Sequence, residues 1–176
     1  MKRWNKGSGE TEDYMPDHRQ VHQAEEKPVH SAAVRKAMNL LLHRDRTEQE
    51  LRSRLEAGGF SIDEIDEALA YTASFGYVND RRYAENYAIS FSGKKSRRMI
   101  AADLRQRGVD EIWIEEAVAA LPENESDQIM ELIRKRAGEP HVLDAAEKRR
   151  LHGYLARRGF VTGDILRAIR SFESDA

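Results

Sequence analysis

Beyond residue 30 the apolar positions of this chain repeat themselves. Leu51, Leu55, Gly59, Phe60, Ile65 and Ala68 stand at offsets of 0, 4, 8, 9, 14 and 17. The same offsets recur as Ile100, Leu104, Gly108, Val109, Ile114 and Ala117, and again as Leu151, Leu155, Gly159, Phe160, Ile165 and Ala168. The copies begin 49 and then 51 residues apart, and a further aliphatic follows each final alanine, at Leu69, Val118 and Ile169. Self-similarity at such a period marks an array of like modules rather than one mixed core.

Each position in the set has a physical role. Leu51 and Leu55 lie one helical turn apart on a single face, and Gly59 closes that helix where a left-handed residue satisfies the last carbonyls. Phe60 plugs the corner. Ile65, Ala68 and Leu69 restart the 3.6-residue period behind a capping box of Ser61 and Glu64, and Thr47 with Glu50 gives the same start signal one helix earlier. A further helix precedes each pair, read from Val34, Met38 and Leu42 in the first copy and Tyr83, Tyr87 and Phe91 in the second. The third copy offers Ile129, Leu132 and Ile133 in another register, followed by a longer connection at 138–142 that contains Pro140. The pattern therefore predicts an all-α fold. It comprises three tandem three-helix bundles at about 31–77, 78–121 and 122–174, forming an elongated, curved array. Bundles of this size lean on their neighbours for stability. Residues 1–30 have few aliphatics and no period, which predicts a disordered tail.

Composition agrees with helices: charged residues make up 34% and aromatics 7%, with 11 Gly and 4 Pro. The absence of cysteine excludes disulfides, thiolate metal sites and thiol nucleophiles. No apolar run approaches the roughly 18 residues that span a bilayer, and the polar start from Met1 to Glu12 is unlike a secretory signal. A cytoplasmic protein is expected. The net charge of -2 argues against a nucleic-acid binder only until its distribution is considered.

Candidate chemistry is sparse. His18 and His22 stand at i, i+4, but nothing around them is helical in pattern, so no metal is assigned. His43 and His152 read as solvated residues. Gly58-Gly59 closes a helix and lacks the Lys-Ser/Thr of a phosphate-binding loop. The carboxylate groups Asp63, Glu64, Asp66, Glu67 and Asp110, Glu111, Glu115, Glu116 open helices, as the macrodipole favours. A binding protein without cofactor or metal is expected, not an enzyme. Lys94, Lys95, Arg97, Arg98, Arg105 and Arg107 face the single acid Asp103, and Lys148, Arg149, Arg150, Arg157 and Arg158 face none. The last pair of each set complements a helix C-terminus. Lys94 to Arg98 instead crowd a helix start, where the dipole repels cations, and so point to an anionic partner. The first copy reads as the best capped and most acidic. The eleven basic residues of copies two and three are the candidate partner or DNA-binding set.

The run Leu51-Arg52-Ser53-Arg54-Leu55, then Gly59-Phe60, Ile65 to Leu69, and above all Phe75-Gly76-Tyr77-Val78-Asn79-Asp80-Arg81-Arg82-Tyr83-Ala84, resembles the bacterial RecX proteins. The likeness extends over about 33–172. It departs before the second helix of copy two, where the family commonly has Gly-Pro and an Arg directly before the aliphatic. Here Ser96-Arg97 and Met99 stand there, with Arg98 in place of the shifted charge. The resemblance implies three three-helix units and a non-enzymatic modulator of recombination, DNA repair and the SOS response. Such a protein binds the RecA filament on single-stranded DNA, lies in its groove, and suppresses ATP hydrolysis and strand exchange. The residues alone leave open a stand-alone nucleic-acid-binding repeat protein or a general interaction scaffold. With no heptad seam, a monomer is expected.

Overall fold

The computed structural model describes residues 30–176, all helix and connection with no strand among them. The sequence expectations for residues 1–29, including the tail and the His18 and His22 pair, lie outside the described residues. Nine helices follow in order: α1 Ala32–His43, α2 Glu48–Glu56, α3 Ile62–Ser74, α4 Asp80–Phe91, α5 Arg97–Gln106, α6 Glu111–Ala119, α7 Ser126–Ala137, α8 Ala145–Ala156 and α9 Thr162–Ser174. They form three successive bundles, each with its own core. The repeated positions supply those cores: Leu51, Leu55 and Ile65, then Ile100, Leu104 and Ile114, then Leu151, Leu155 and Ile165 are all buried.

The first helices of the first two bundles are built differently from their sequence expectation, whereas α7 buries Ile129, Leu132 and Ile133 as expected. In α1 the buried residues are Ala33, Val34 and Ala37, and in α4 they are Ala84 and Ala88. Leu42 is 79% exposed, and Met38, Tyr83, Tyr87 and Phe91 pack only at the margins of their cores. Alanines one turn apart let α1 and α4 settle closely on α3 and α6, where larger side chains would hold the helices apart. The third bundle fills the equivalent space with Ile129 and Ile133.

The corners follow the repeat. Gly59, Gly108 and Gly159 all have positive φ. The following amides return to the penultimate turn: Phe60 N to Leu55 O at 3.4 Å, Val109 N to Leu104 O at 3.2 Å, and Phe160 N to Leu155 O at 3.3 Å. Ser61 and Glu64 form the expected capping box. Thr47 and Glu50 form only half of one: Thr47 Oγ1 accepts from the Glu50 amide at 3.1 Å, but the Glu50 carboxylate turns away to Arg44 and Arg107. A full box that the sequence reading missed, Asp144 with Glu147, opens α8.

Candidate partner interface at the repeat junctions

The bundles are joined through their middle helices. The end of α5 meets the start of α2, where Thr47 Oγ1 donates to Arg107 O at 2.6 Å. The end of α8 meets the start of α5 in the same way, with Ser96 N donating to Arg158 O at 2.9 Å. Thr47 and Ser96 are the N-caps of α2 and α5, and both are buried. The helices α8, α5 and α2 thus run end to end, each negative C-terminus against the next positive N-terminus.

A carboxylate from the following repeat completes each junction. Asp80, the first residue of α4, accepts from the Glu48 amide at 2.9 Å, and Glu125, the N-cap of α7, accepts from the Arg97 amide at 2.6 Å. Glu48 and Arg97 are the first residues of α2 and α5, so the two contacts are equivalent. They also account for the Asn79-Asp80 pair in the junction motif. Asn79 caps its own helix by accepting from the Arg82 amide, and Asp80 caps α2. Burial, the largest influence, pushes the Asp80 carboxyl above its ordinary value; the bond from Glu48 opposes this, while the nearby Glu48, Asp110 and Glu50 carboxylates add to it.

This geometry alters the standing of the basic residues. The start of α5 already has its anion in Glu125, so cations there do not by themselves require an external one. Lys95 Nζ sits 2.5 Å from Asp103 Oδ2 and 3.2 Å from the Tyr87 hydroxyl, over the Phe91 ring. The bond to Asp103 holds its ammonium above the ordinary lysine value. Arg98 donates to Gly159 O at 3.1 Å across the junction. Arg105 pairs with Glu111, Arg107 with Glu50 at 2.8 Å, and Lys148 with Glu173 at 2.9 Å. Arg158 lies 3.7 Å from the centre of the Tyr154 ring.

What remains is a smaller group of cations with no carboxylate in ion-pair distance among the described residues: Lys94, Arg97, Arg149, Arg150 and Arg157, besides Arg98 and Arg158 with their backbone and ring contacts. Arg136, over the Tyr154 ring at 5.0 Å, belongs with them; its position on α7 outside the two charge runs hid it from the sequence. The junction brings the segment before and at the start of α5 against the end of α8. Lys94, Arg97 and Arg98 are therefore joined with Arg157 and Arg158, some sixty residues away in sequence. Arg149 and Arg150 stand exposed near the start of α8. No group of three or more His, Cys, Asp or Glu among the described residues is placed to hold a metal ion.

Comparison with known proteins finds the same three units. Family models for the first, second and third three-helix domains of RecX match residues 33–71, 79–118 and 123–169. The chain belongs to the RecX family. The regulatory protein RecX of Chromobacterium violaceum is 36% identical over 140 residues, which cover 80% of this chain and 90% of that protein. That of Xanthomonas campestris is 32% identical over 141 residues, covering 78% and 85%. The crystal structure of RecX from Lactobacillus salivarius superposes with a TM-score of 0.63 at 21% identity, over 81% of this chain and 95% of that one. The RecX architecture of three tandem three-helix units is thus shared at the level of the fold, and this chain is a regulatory protein of that family. No helix among its described residues is long and apolar enough to cross a membrane.

Proposed function

We propose that this RecX-family chain is a non-catalytic regulator that binds a RecA-type recombinase filament on single-stranded DNA and inhibits its ATP hydrolysis and strand exchange. The reading rests on the family and on one observation of its own: the second junction joins two distant basic clusters into one surface, with Arg157 and Lys94 unpaired among the described residues. The junction fixes the backbone that carries these cations, so their charges are already gathered on one surface before an anionic partner arrives. Arg149 and Arg150 extend the surface along α8. Structural ion pairs absorb Lys95, Arg105, Arg107 and Lys148, which leaves Lys94, Arg97, Arg149, Arg150 and Arg157 as the contact residues.

Fluorescence anisotropy of the labelled full chain tests this reading against a stand-alone nucleic-acid binder. Titration with recombinase filaments on single-stranded DNA is compared with titration by the bare strand across a salt series. The proposal expects tight filament binding with weak, steeply salt-dependent binding to the bare strand. Equal affinity for both would favour the stand-alone reading. Binding to neither would favour a scaffold for other proteins.

A further inference from the structure

The first junction carries a second basic cluster, in the repeat that the sequence marks as acidic. Arg44 and Arg46 precede α2, Arg54 lies in its last turn, and Arg107 reaches over from the end of α5. With Gln49, Glu50, Ser53 and Gln106 these four arginines line one open cavity of about 230 Å³ between the first two repeats. Glu50 is the only acid in that lining, and it is already engaged by Arg44 at 3.1 Å and Arg107 at 2.8 Å. Arg46 spends its Nε on Leu40 O at 3.3 Å, and Arg54 has no acidic partner among the described residues. The guanidinium of Arg46 is held below its ordinary value, first by partial burial and then by the repulsion of Arg44, which outranks the help of Glu50, with Arg54 adding to it. The cluster is therefore under-neutralised: four positive charges face one negative.

We propose that this cavity is a binding site for a phosphate oxyanion, and that its occupancy fastens the first repeat to the second. The charge count selects the ligand class. A further carboxylate brings one negative charge and would leave about two arginines unmatched, whereas a phosphate monoester carries about -1.5 to -2 at neutral pH. Two successive phosphodiesters bring a similar charge. Planar guanidinium forks suit either, and the Ser53, Gln49 and Gln106 side chains add neutral hydrogen-bonding groups around them. Three elements contribute lining: the loop before α2, α2 itself and the end of α5. An anion held by Arg46 or Arg54 and by Arg107 therefore bridges two repeats. The second junction repeats the plan, with Lys94 and Lys95 before α5 and Arg157 and Arg158 at the end of α8. The site requires no recombinase, and its test stands apart from the filament reading.

The experiment uses the full chain and two probes, sodium pyrophosphate and a short single-stranded oligonucleotide, each titrated at low salt by calorimetry and by thermal melting. The test variant is R54Q, because Arg54 is exposed and holds no structural bond. The control is K36Q, an exposed cation on α1 outside the cavity. The expected result is roughly tenfold weaker binding by R54Q, with K36Q unchanged, and loss in R54Q of the ligand-induced rise in Tm. If pyrophosphate binding falls in this way, the site takes free phosphates. If only oligonucleotide binding falls, its phosphates come from a nucleic-acid backbone; either result supports the proposal. Equal affinities of R54Q and the unsubstituted chain for both probes would overturn it.

Discussion

Thr47 and Arg107 stand sixty residues apart in sequence and 2.6 Å apart in space, joined by a hydrogen bond from the threonine hydroxyl to the arginine carbonyl. The same hydroxyl accepts from the Glu50 amide, so one fully buried group both starts α2 and receives the end of α5. A capping residue is thereby turned into a hinge pin between repeats. Separating the end of α5 from α2 therefore breaks the bond that the Thr47 hydroxyl donates.

Replacing Thr47 tests that double role. Thr47→Val keeps the volume and the branch but removes donor and acceptor together. The cap is worth about 1 kcal/mol and the inter-repeat bond about 1 kcal/mol more, so T47V is expected to lose about 2 kcal/mol in urea unfolding. Thr47→Ser, which keeps the hydroxyl, recovers most of it. A loss of only a few tenths in T47V would show that the junction is held elsewhere.

The corner glycines separate backbone strain from docking. Gly59, Gly108 and Gly159 share a positive φ, but a Cβ on Gly59 meets nothing, whereas on Gly159 it runs into Ser96 Oγ and Met99. Gly59→Ala therefore costs only the left-handed conformation, about 1–2 kcal/mol. Gly159→Ala adds overlap with the neighbouring repeat, about 1–3 kcal/mol more. Comparing the two by chemical denaturation, with hydrogen exchange at Ser96 and Met99, reads the docking contribution directly. Equal losses would mean that the third repeat does not rest on the second as described.

Asp80 gives the first junction a pH signature. Its carboxyl is raised above the unfolded value, so the folded state binds the proton more readily; the stability it contributes grows as pH falls and is lost as pH rises through the folded value. A carboxylate at a helix start is normally favourable by about 0.3–1 kcal/mol. Here Glu48, Glu50 and Asp110 already surround the site, so the charge is surplus while the oxygen acceptor is needed. Asp80→Asn keeps an acceptor for the Glu48 amide. D80N is expected to melt at or above the parent temperature at neutral pH, with the difference shrinking below about pH 5. A clear drop in Tm at neutral pH would show that the charge itself is the stabilising element.

Much of this architecture was legible in the residues. The offsets from Leu51 to Ala68 recur three times because each copy must bury an aliphatic pair one turn apart, turn at a glycine and restart at an isoleucine. The alanine faces of α1 and α4 were not legible, since Ala33, Ala37, Ala84 and Ala88 gain their role from closeness to another helix rather than from hydrophobic bulk. Charge is legible only in part, for a related reason. Lys95, Arg107 and Lys148 look like a free basic stripe in sequence, but their partners Asp103, Glu50 and Glu173 lie two turns, a repeat or a helix away. The Arg44 and Arg46 pair is not legible as a cluster because it becomes one only when Arg107 arrives from the next repeat. Residues that work across a junction carry no local periodicity.

The regulatory reading is tested most directly by DNA-dependent ATP hydrolysis of the matching recombinase on single-stranded DNA at low salt, with this chain titrated in. Hydrolysis is expected to fall to a low plateau. Reversing Arg149, Arg150 and Arg157 to Glu is expected to shift the titration by about tenfold or more while leaving the helical content unchanged, since no ion pair among the described residues is lost. Undiminished hydrolysis at saturating concentrations of the unsubstituted protein would rule out inhibition of the recombinase.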